Sequence, residues 1–255
     1  YEHRADRPAN DLYGDRIRVK TNVAAVLRDE LARPSWKREL VAVGGATDPY
    51  QPAEARYRLT RACIRELGRG RTPFQIITRA PLIARDLDVL QEASRRAEVT
   101  VSFSIPTLDE AIWRRTEPRT PHPRQRLRAL SRLIEGGVRA GVGVAPILPG
   151  LSDDPKLLEA VVRAAREAGA AFVWAEVLHL REGTREHFFR LLEREWPDLL
   201  SRYENLYATR AYLQDSQKRP ALALVTSLRQ RLGIADRRAA PLRPPPEPEQ
   251  LPLIP

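Results

Sequence analysis

From residue 22 to about 195 the chain alternates amphipathic helical stretches with short apolar runs, and this alternation limits its fold more than any other feature. Short apolar runs bounded by turn signals suit strands buried on both faces. Strands separated by helices must run parallel, because each crossover returns the chain to the same end of the sheet. Asn22 is placed to cap a helix through Arg33, closed by Pro34, and Leu40 to Val43 then reads as a buried strand ending at Gly44-Gly45. A helix is expected from Glu54 to Gly68. Further strands follow at Phe74 to Ile77, Val99 to Ile105, Ala140 to Ala145 and Ala171 to Leu178. The helices between and after them are Asp86 to Ala97, Arg124 to Glu135, Pro155 to Ala168 and Thr184 to Trp196. This pattern of five strands and six helices starts with a helix, whereas a barrel of such units starts with a strand. The first strand is therefore expected upstream of Tyr1.

Beyond Pro197 the periodicity weakens into helical pieces around Asp198 to Tyr207 and Leu222 to Leu232. From Ala239 onward, closely spaced prolines leave no room for helix or paired strand, so an extended tail is expected. The expected organisation is thus a loop over 1–21, a β/α body over 22–197, a helical extension over 198–238 and a Pro-rich tail over 239–255. No run of about 18 apolar residues occurs, and the charged start lacks the apolar core of a signal peptide, so a cytoplasmic protein with no membrane partner is expected.

One cysteine in 255 residues excludes an internal disulfide and excludes any metal or cluster site built from several thiolates of this sequence. Cys63 shares a helical stripe with Ala55, Leu59, Ala62 and Leu67, which reads as packing and not as ligation. The formal charge of +10 suits a polyanion such as nucleic acid, although an arginine-for-lysine coding bias produces the same balance. The richest cluster, between Ile112 and Arg128, holds Arg114, Arg115, Arg119, Arg124, Arg126 and Arg128. It suits phosphate groups as well as it suits a solvated helix start.

In parallel β/α barrels the loops after the strand carboxyl ends build the site, so the residues standing there are the candidates. The first strand end carries Gly44-Gly45-Ala46-Thr47-Asp48-Pro49-Tyr50-Gln51-Pro52, in which glycines admit a ligand to the backbone and Thr47 and Asp48 offer a hydroxyl and a carboxylate. The second carries Thr78-Arg79, the third Ser102-Phe103-Ser104-Ile105 and the fourth Ala145-Pro146. The fifth carries Glu176, His179 and Arg181. His179 is a candidate substrate contact. His122, between prolines, and His187, beside Phe188 and Phe189, read as surface residues.

Six strings, in order along most of residues 13 to 210, resemble the spore photoproduct lyase-like group of the radical S-adenosylmethionine (SAM) superfamily. They are Ile17 to Asn22, Thr47 to Pro52, Ile77-Thr78-Arg79, Phe103-Ser104-Ile105, Thr116-Glu117-Pro118 and Val144 to Ile147. The resemblance implies an α/β fold, a partial (β/α)6 barrel. It also implies a 4Fe-4S cluster, SAM cleavage to a 5′-deoxyadenosyl radical, and an electron donor that reduces the cluster. It further implies that Thr47 and Asp48, with Gly45, lie near the SAM amino group, and that Arg79, beside Thr78, pairs with the SAM carboxylate. Ser104, with Ser102, would lie at the ribose, and Ala145-Pro146 beside the adenine. Tyr50, Glu117, Glu176 and His179 are left as candidate substrate contacts, with no catalytic residue and no metal ligand assigned.

The family carries a Cys-x3-Cys-x2-Cys loop just ahead of the segment that here begins at Tyr1, and no such loop is present, so the cluster ligands are expected upstream. The resulting reading is the body of a radical SAM enzyme of unspecified substrate, with a nucleic-acid lesion as one implied class. The alternative is a barrel without a cluster that binds SAM, a nucleotide or nucleic acid. A cofactor-free lyase or hydrolase fits less well, because no strand end offers a nucleophilic lysine or a close pair of carboxylates.

Overall fold

The computed structural model describes residues 17–237 apart from Ala46. Six strands form one parallel sheet in the order β1 to β6: Val41–Val43, Phe74–Thr78, Val99–Ser104, Ala140–Ile147, Phe172–Val177 and Ala235–Asp236. Sequential order in a parallel sheet means that every crossover runs the same way, which is how a β/α barrel winds. The chain is an α/β protein with a partial barrel of this kind. The expected Pro-rich tail lies outside the described residues, as does the start of the 1–21 loop.

Side-chain alternation divides the sheet into two unlike faces. Phe74, Ile76, Val101, Phe103, Val142, Val144 and Val173 point to one face and are fully buried. Helices cover that face, principally α4 (Leu87–Ser94), α6 (Pro123–Glu135), α7 (Pro155–Glu167) and α10 (Asp215–Arg231). Each such side chain contributes about 1.5–3 kcal/mol by leaving water, so this face is the main source of stability. The opposite face is mixed, with small and polar groups on β3 and β4 flanked by Ile77, Phe172 and Trp174. The register pairs Ile77 with Ser102, Ser102 with Gly141, Ser104 with Gly143 and Gly143 with Trp174.

The structure corrects the expected element list in four places. The two-residue β6 pairs with β5, so the sheet has six strands and not five. The helix expected over Glu54 to Gly68 is two helices, α2 (Pro52–Tyr57) and α3 (Leu59–Arg69), separated by Arg58 in the left-handed region at φ 52°. The break has a physical cause: the Glu54 carboxylate turns back to accept from the N–H of Thr60 (3.0 Å) and Arg61 (3.2 Å), capping α3 from one turn upstream. A short helix α5 (Glu110–Thr116) follows β3, capped where Asp109 Oδ1 accepts from Ile112 N at 2.9 Å. The last helix, α10, begins at Asp215 and includes Pro220, which apolar periodicity alone had left outside.

A 3-10 helix at Pro81–Asp86, between β2 and α4, and helices α1 (Val23–Leu31), α8 (Thr184–Glu195) and α9 (Pro197–Tyr207) complete the described elements. Tyr203 and Tyr207 of α9 and Val225 and Leu228 of α10 belong to the same core as the strands. Among the described residues no helix is long and apolar enough to cross a membrane.

Candidate SAM-binding site at the strand ends

The loop after β1 is tied to the end of β2 by one carboxylate. Asp48 Oδ1 accepts from Thr78 Oγ1 (2.6 Å) and from the amide of Tyr50 (2.8 Å), while Oδ2 accepts from the amide of Arg79 (2.6 Å). Thr78 Oγ1 in turn accepts from Ala80 N at 2.9 Å. Gly44 makes the approach possible: its φ is +96°, and a Cβ there would collide with the Ile77 carbonyl. Asp48 therefore clamps two strand ends together, and its charge is met by backbone and hydroxyl donors. Gly45 and Thr47 stand exposed on the rim of this turn.

The chain of contacts continues across the strand ends. Arg79, with its side chain 38% exposed, donates from Nε to Glu117 Oε1 at 2.6 Å. The other Glu117 oxygen accepts from Arg126 at 2.7 Å. Arg126 is fully buried and also donates to the carbonyls of Ser104 (2.7 Å) and Pro121 (2.9 Å) and to Thr120 Oγ1 (2.7 Å). Desolvation pulls its guanidinium below the ordinary arginine value, opposed by the charge of Glu117 and by their hydrogen bond. Ser104 Oγ donates to Ala145 O at 2.6 Å, next to the cis Ala145-Pro146 bond. Asp48, Thr78, Arg79, Glu117, Arg126, Ser104 and Ala145 thus form one connected line from the end of β1 to the end of β4.

Not every candidate joins it. Ser102 is buried on the floor and accepts from the Trp174 indole N–H at 3.2 Å, which leaves it no face at the rim. Tyr50 is 2% exposed and gives its hydroxyl to Asp86 at 3.2 Å, turning away from the strand ends, so a substrate contact does not suit it. Glu117 is held between two guanidiniums and is no free substrate contact either. Glu176 lies half-buried on the inner face near the end of β5. His179 is exposed and stacks on Tyr212 with centroids 5.0 Å apart. Pro146 and Ala145 are half-buried.

Two features went unread in the sequence. Arg126 was counted with a surface cluster, but its burial removes it from any phosphate-gripping surface. Its place on the buried stripe with Ala129, Leu130 and Leu133 was the available signal. The second feature is the set beneath the β1 loop, where Asp86, with its side chain fully buried, accepts from Arg85 (2.8 and 2.9 Å) and Arg61 (3.2 Å), and Arg85 reaches Glu54 at 3.4 Å.

The sequence holds a single cysteine, and the described residues include no group of three His, Cys, Asp or Glu side chains fit to hold a metal. Cys63 is half-buried on α3, and burial, then Glu54 and Glu66, push its thiol up to about 11. These residues do not fit a three-thiolate cluster.

In parallel β/α barrels the ligand site is built at the strand carboxyl ends, and the polar groups of this sheet gather at that end. The radical SAM superfamily model matches residues 12–161, and the chain belongs to that superfamily. It is 40% identical over 242 residues to Uncharacterized protein Mb2609c of Mycobacterium bovis, covering 94% of this chain and 71% of that one. It is 24% identical to Uncharacterized protein MJ0683 of Methanocaldococcus jannaschii, covering 80% and 72%. Among solved structures, a spore photoproduct lyase mutant with bound AdoMet and dinucleoside spore photoproduct superposes with a TM-score of 0.63 at 16% identity, covering 88% of this chain and 68% of that one. Spore photoproduct lyase complexed with dinucleoside spore photoproduct gives 0.61 at 16%, covering 85% of this chain; the present chain spans 65% of that protein. At this identity the likeness is one of fold.

Proposed function

We propose that this chain is the SAM-binding barrel of a radical SAM enzyme, with SAM lying across the ends of β1 to β4. The connected line from Asp48 to Ala145 is the observation that carries the reading, because it arranges unlike polar groups at intervals along one rim. Arg79 would take the SAM carboxylate through its Nη groups, which have no bond among the described residues. The loop at Gly45 and Thr47, held by Asp48 and Thr78, would flank the amino group. Ser104, whose proton goes to Ala145, keeps lone pairs for a ribose hydroxyl, and Ala145-Pro146 would lie along the adenine. When bound, SAM supplies the hydrogen-abstracting chemistry of the superfamily. The protein's own residues orient it, and the apolar face behind them keeps water out of the sheet.

In this reading the cluster ligands come from outside the 255 residues, an electron donor is a partner that reduces the cluster, and the protein works in the cytoplasm. A nucleic-acid lesion is the proposed substrate class, on the basis of the net charge of +10 and the dinucleoside spore photoproduct bound by the structural neighbour. Glu176 and His179, on the β5 side of the rim, are the proposed substrate contacts. The single cysteine favours a second reading, a barrel that binds SAM without cluster chemistry.

Anaerobic reconstitution with iron, sulfide and dithionite separates the two readings. The present chain should give neither a reduced-cluster EPR signal nor 5′-deoxyadenosine from SAM. A version carrying a Cys-x3-Cys-x2-Cys loop ahead of Tyr1 should give both, and failure of that folded version would leave the binding reading alone.

A further inference from the structure

Helix α6 lays Arg126, Ala129, Leu130 and Leu133 along its buried stripe, so position 126 stands on a face whose other members are apolar. A fully buried guanidinium there loses its hydration, and such a group persists only where its donors are met. It makes four hydrogen bonds, and two of them run to opposite ends of the proposed SAM site. Nη1 holds the carbonyl of Ser104, the proposed ribose contact, at 2.7 Å. Nη2 holds Glu117 Oε2 at 2.7 Å, and the other oxygen of Glu117 holds Arg79 Nε at 2.6 Å.

From this arrangement we infer that Arg126 and Glu117 are positioning residues for the ligand: Arg126 is the fixed point from which Glu117 aims Arg79, and so sets the separation between the carboxylate end and the ribose end. The inference rests on the SAM reading of Arg79. Glu117 grips Arg79 by its Nε edge, which leaves the two Nη groups to face an anion. The three side chains, two guanidiniums and one carboxylate, carry a formal net charge of one positive, and Asp48 beside them is bonded only to neutral donors, the amides of Tyr50 and Arg79 and the Thr78 hydroxyl. An arginine without Glu117 would still be cationic, but its long side chain would have to be ordered by the ligand itself, at a cost in affinity. Arg126 and Glu117 touch no ligand in this account; they act through Arg79 and Ser104.

The test is calorimetric titration of the full chain with SAM and with 5′-methylthioadenosine, which keeps the ribose and adenine but lacks the carboxylate. Arg79→Ala should weaken SAM binding by about 10-fold or more, the loss expected when a charge-assisted partner is removed. Glu117→Gln, which keeps the size of the side chain, should weaken SAM binding by about fivefold and leave 5′-methylthioadenosine within about twofold. In the Arg79→Ala background, Glu117→Gln should have no further effect, since the residue it aims is gone. Arg126→Lys, which keeps the charge and loses the fork, should weaken SAM binding at least as much as Glu117→Gln, because the bonds to Glu117 and to the Ser104 carbonyl are both disturbed, and its SAM loss in the parent and Arg79→Ala backgrounds serves if Glu117→Gln does not fold.

If the Glu117→Gln loss persists undiminished in the Arg79→Ala background, or if Glu117→Gln weakens 5′-methylthioadenosine as much as SAM, the positioning role is overturned while the SAM reading stands. If Arg79→Ala binds SAM as the parent does, or the parent chain binds no SAM, both fall together.

Discussion

The indole of Trp174 occupies the space that a Cβ on Gly143 would need: the nearest ring atom would lie 2.6 Å from it. The two residues face each other on β4 and β5, and the indole N–H reaches across to Ser102 on β3 at 3.2 Å. Gly143 thus lets one aromatic ring cover the floor beneath the strand ends. Gly143→Ala should cost about 1–3 kcal/mol, an ordinary overpacking penalty, and should shift Trp174 off Ser102. Urea unfolding measures the first effect and indole fluorescence the second; unchanged values for both would show that the floor has room to spare.

Asp48 predicts a pattern in hydrogen exchange. Its carboxylate accepts from the amides of Tyr50 and Arg79, so Asp48→Ala should speed exchange at those two amides far more than at the core amides of β3. Stability should fall by about 1–3 kcal/mol, because the Thr78 hydroxyl and both amides lose their acceptor. Uniform acceleration across the sheet would instead mark Asp48 as part of the global core.

Arginine at position 79 offers a fork where lysine offers a point charge. Arg79→Lys should keep part of the SAM affinity and lose the bond to Glu117, giving a result between the parent and Arg79→Ala. Calorimetry of the three proteins orders them directly, and a lysine variant weaker than the alanine one would contradict the carboxylate assignment.

Cys63 predicts a pH dependence. A raised thiol value means that the folded chain holds the neutral form where an unfolded cysteine is already half ionised, near about pH 8.5. With the folded value pushed up to about 11, alkylation of native protein at pH 8 should be about two orders of magnitude slower than in denaturant, and should keep rising as the pH climbs towards 11. Mass spectrometry of iodoacetamide-treated samples reads the ratio, and equal rates in both states would show that α3 does not shield the thiol.

Glu54 joins two elements that a sequence pattern treats as one. Glu54→Gln should weaken the cap on α3 and the contact to Arg85, lowering stability by about 1–2 kcal/mol without altering the strand-end line. Thermal unfolding and SAM titration together distinguish this from a loss at the site.

Strand and helix order came directly from local pattern, because alternating strands such as Val99 to Phe103 and stripes such as Leu158, Val161, Val162 and Ala165 are legible wherever the chain must bury one face. The strand-end positions followed, and with them Thr78, Arg79, Ser104 and Ala145. Partnerships over long separations are not written in any local period. Nothing near Arg126 in the chain shows that it meets Glu117 and Ser104, and nothing near Tyr50 shows that its hydroxyl turns to Asp86. The break at Arg58 belongs with these, since a carboxylate capping the next helix competes with a continuous apolar stripe and wins only once both helices are packed. Sequence alone determined which residues stand at the strand ends, because alternation and crossover fix that locally. Tertiary structure decided which of them are occupied by one another, because that depends on hydrogen bonds between residues brought together only by folding.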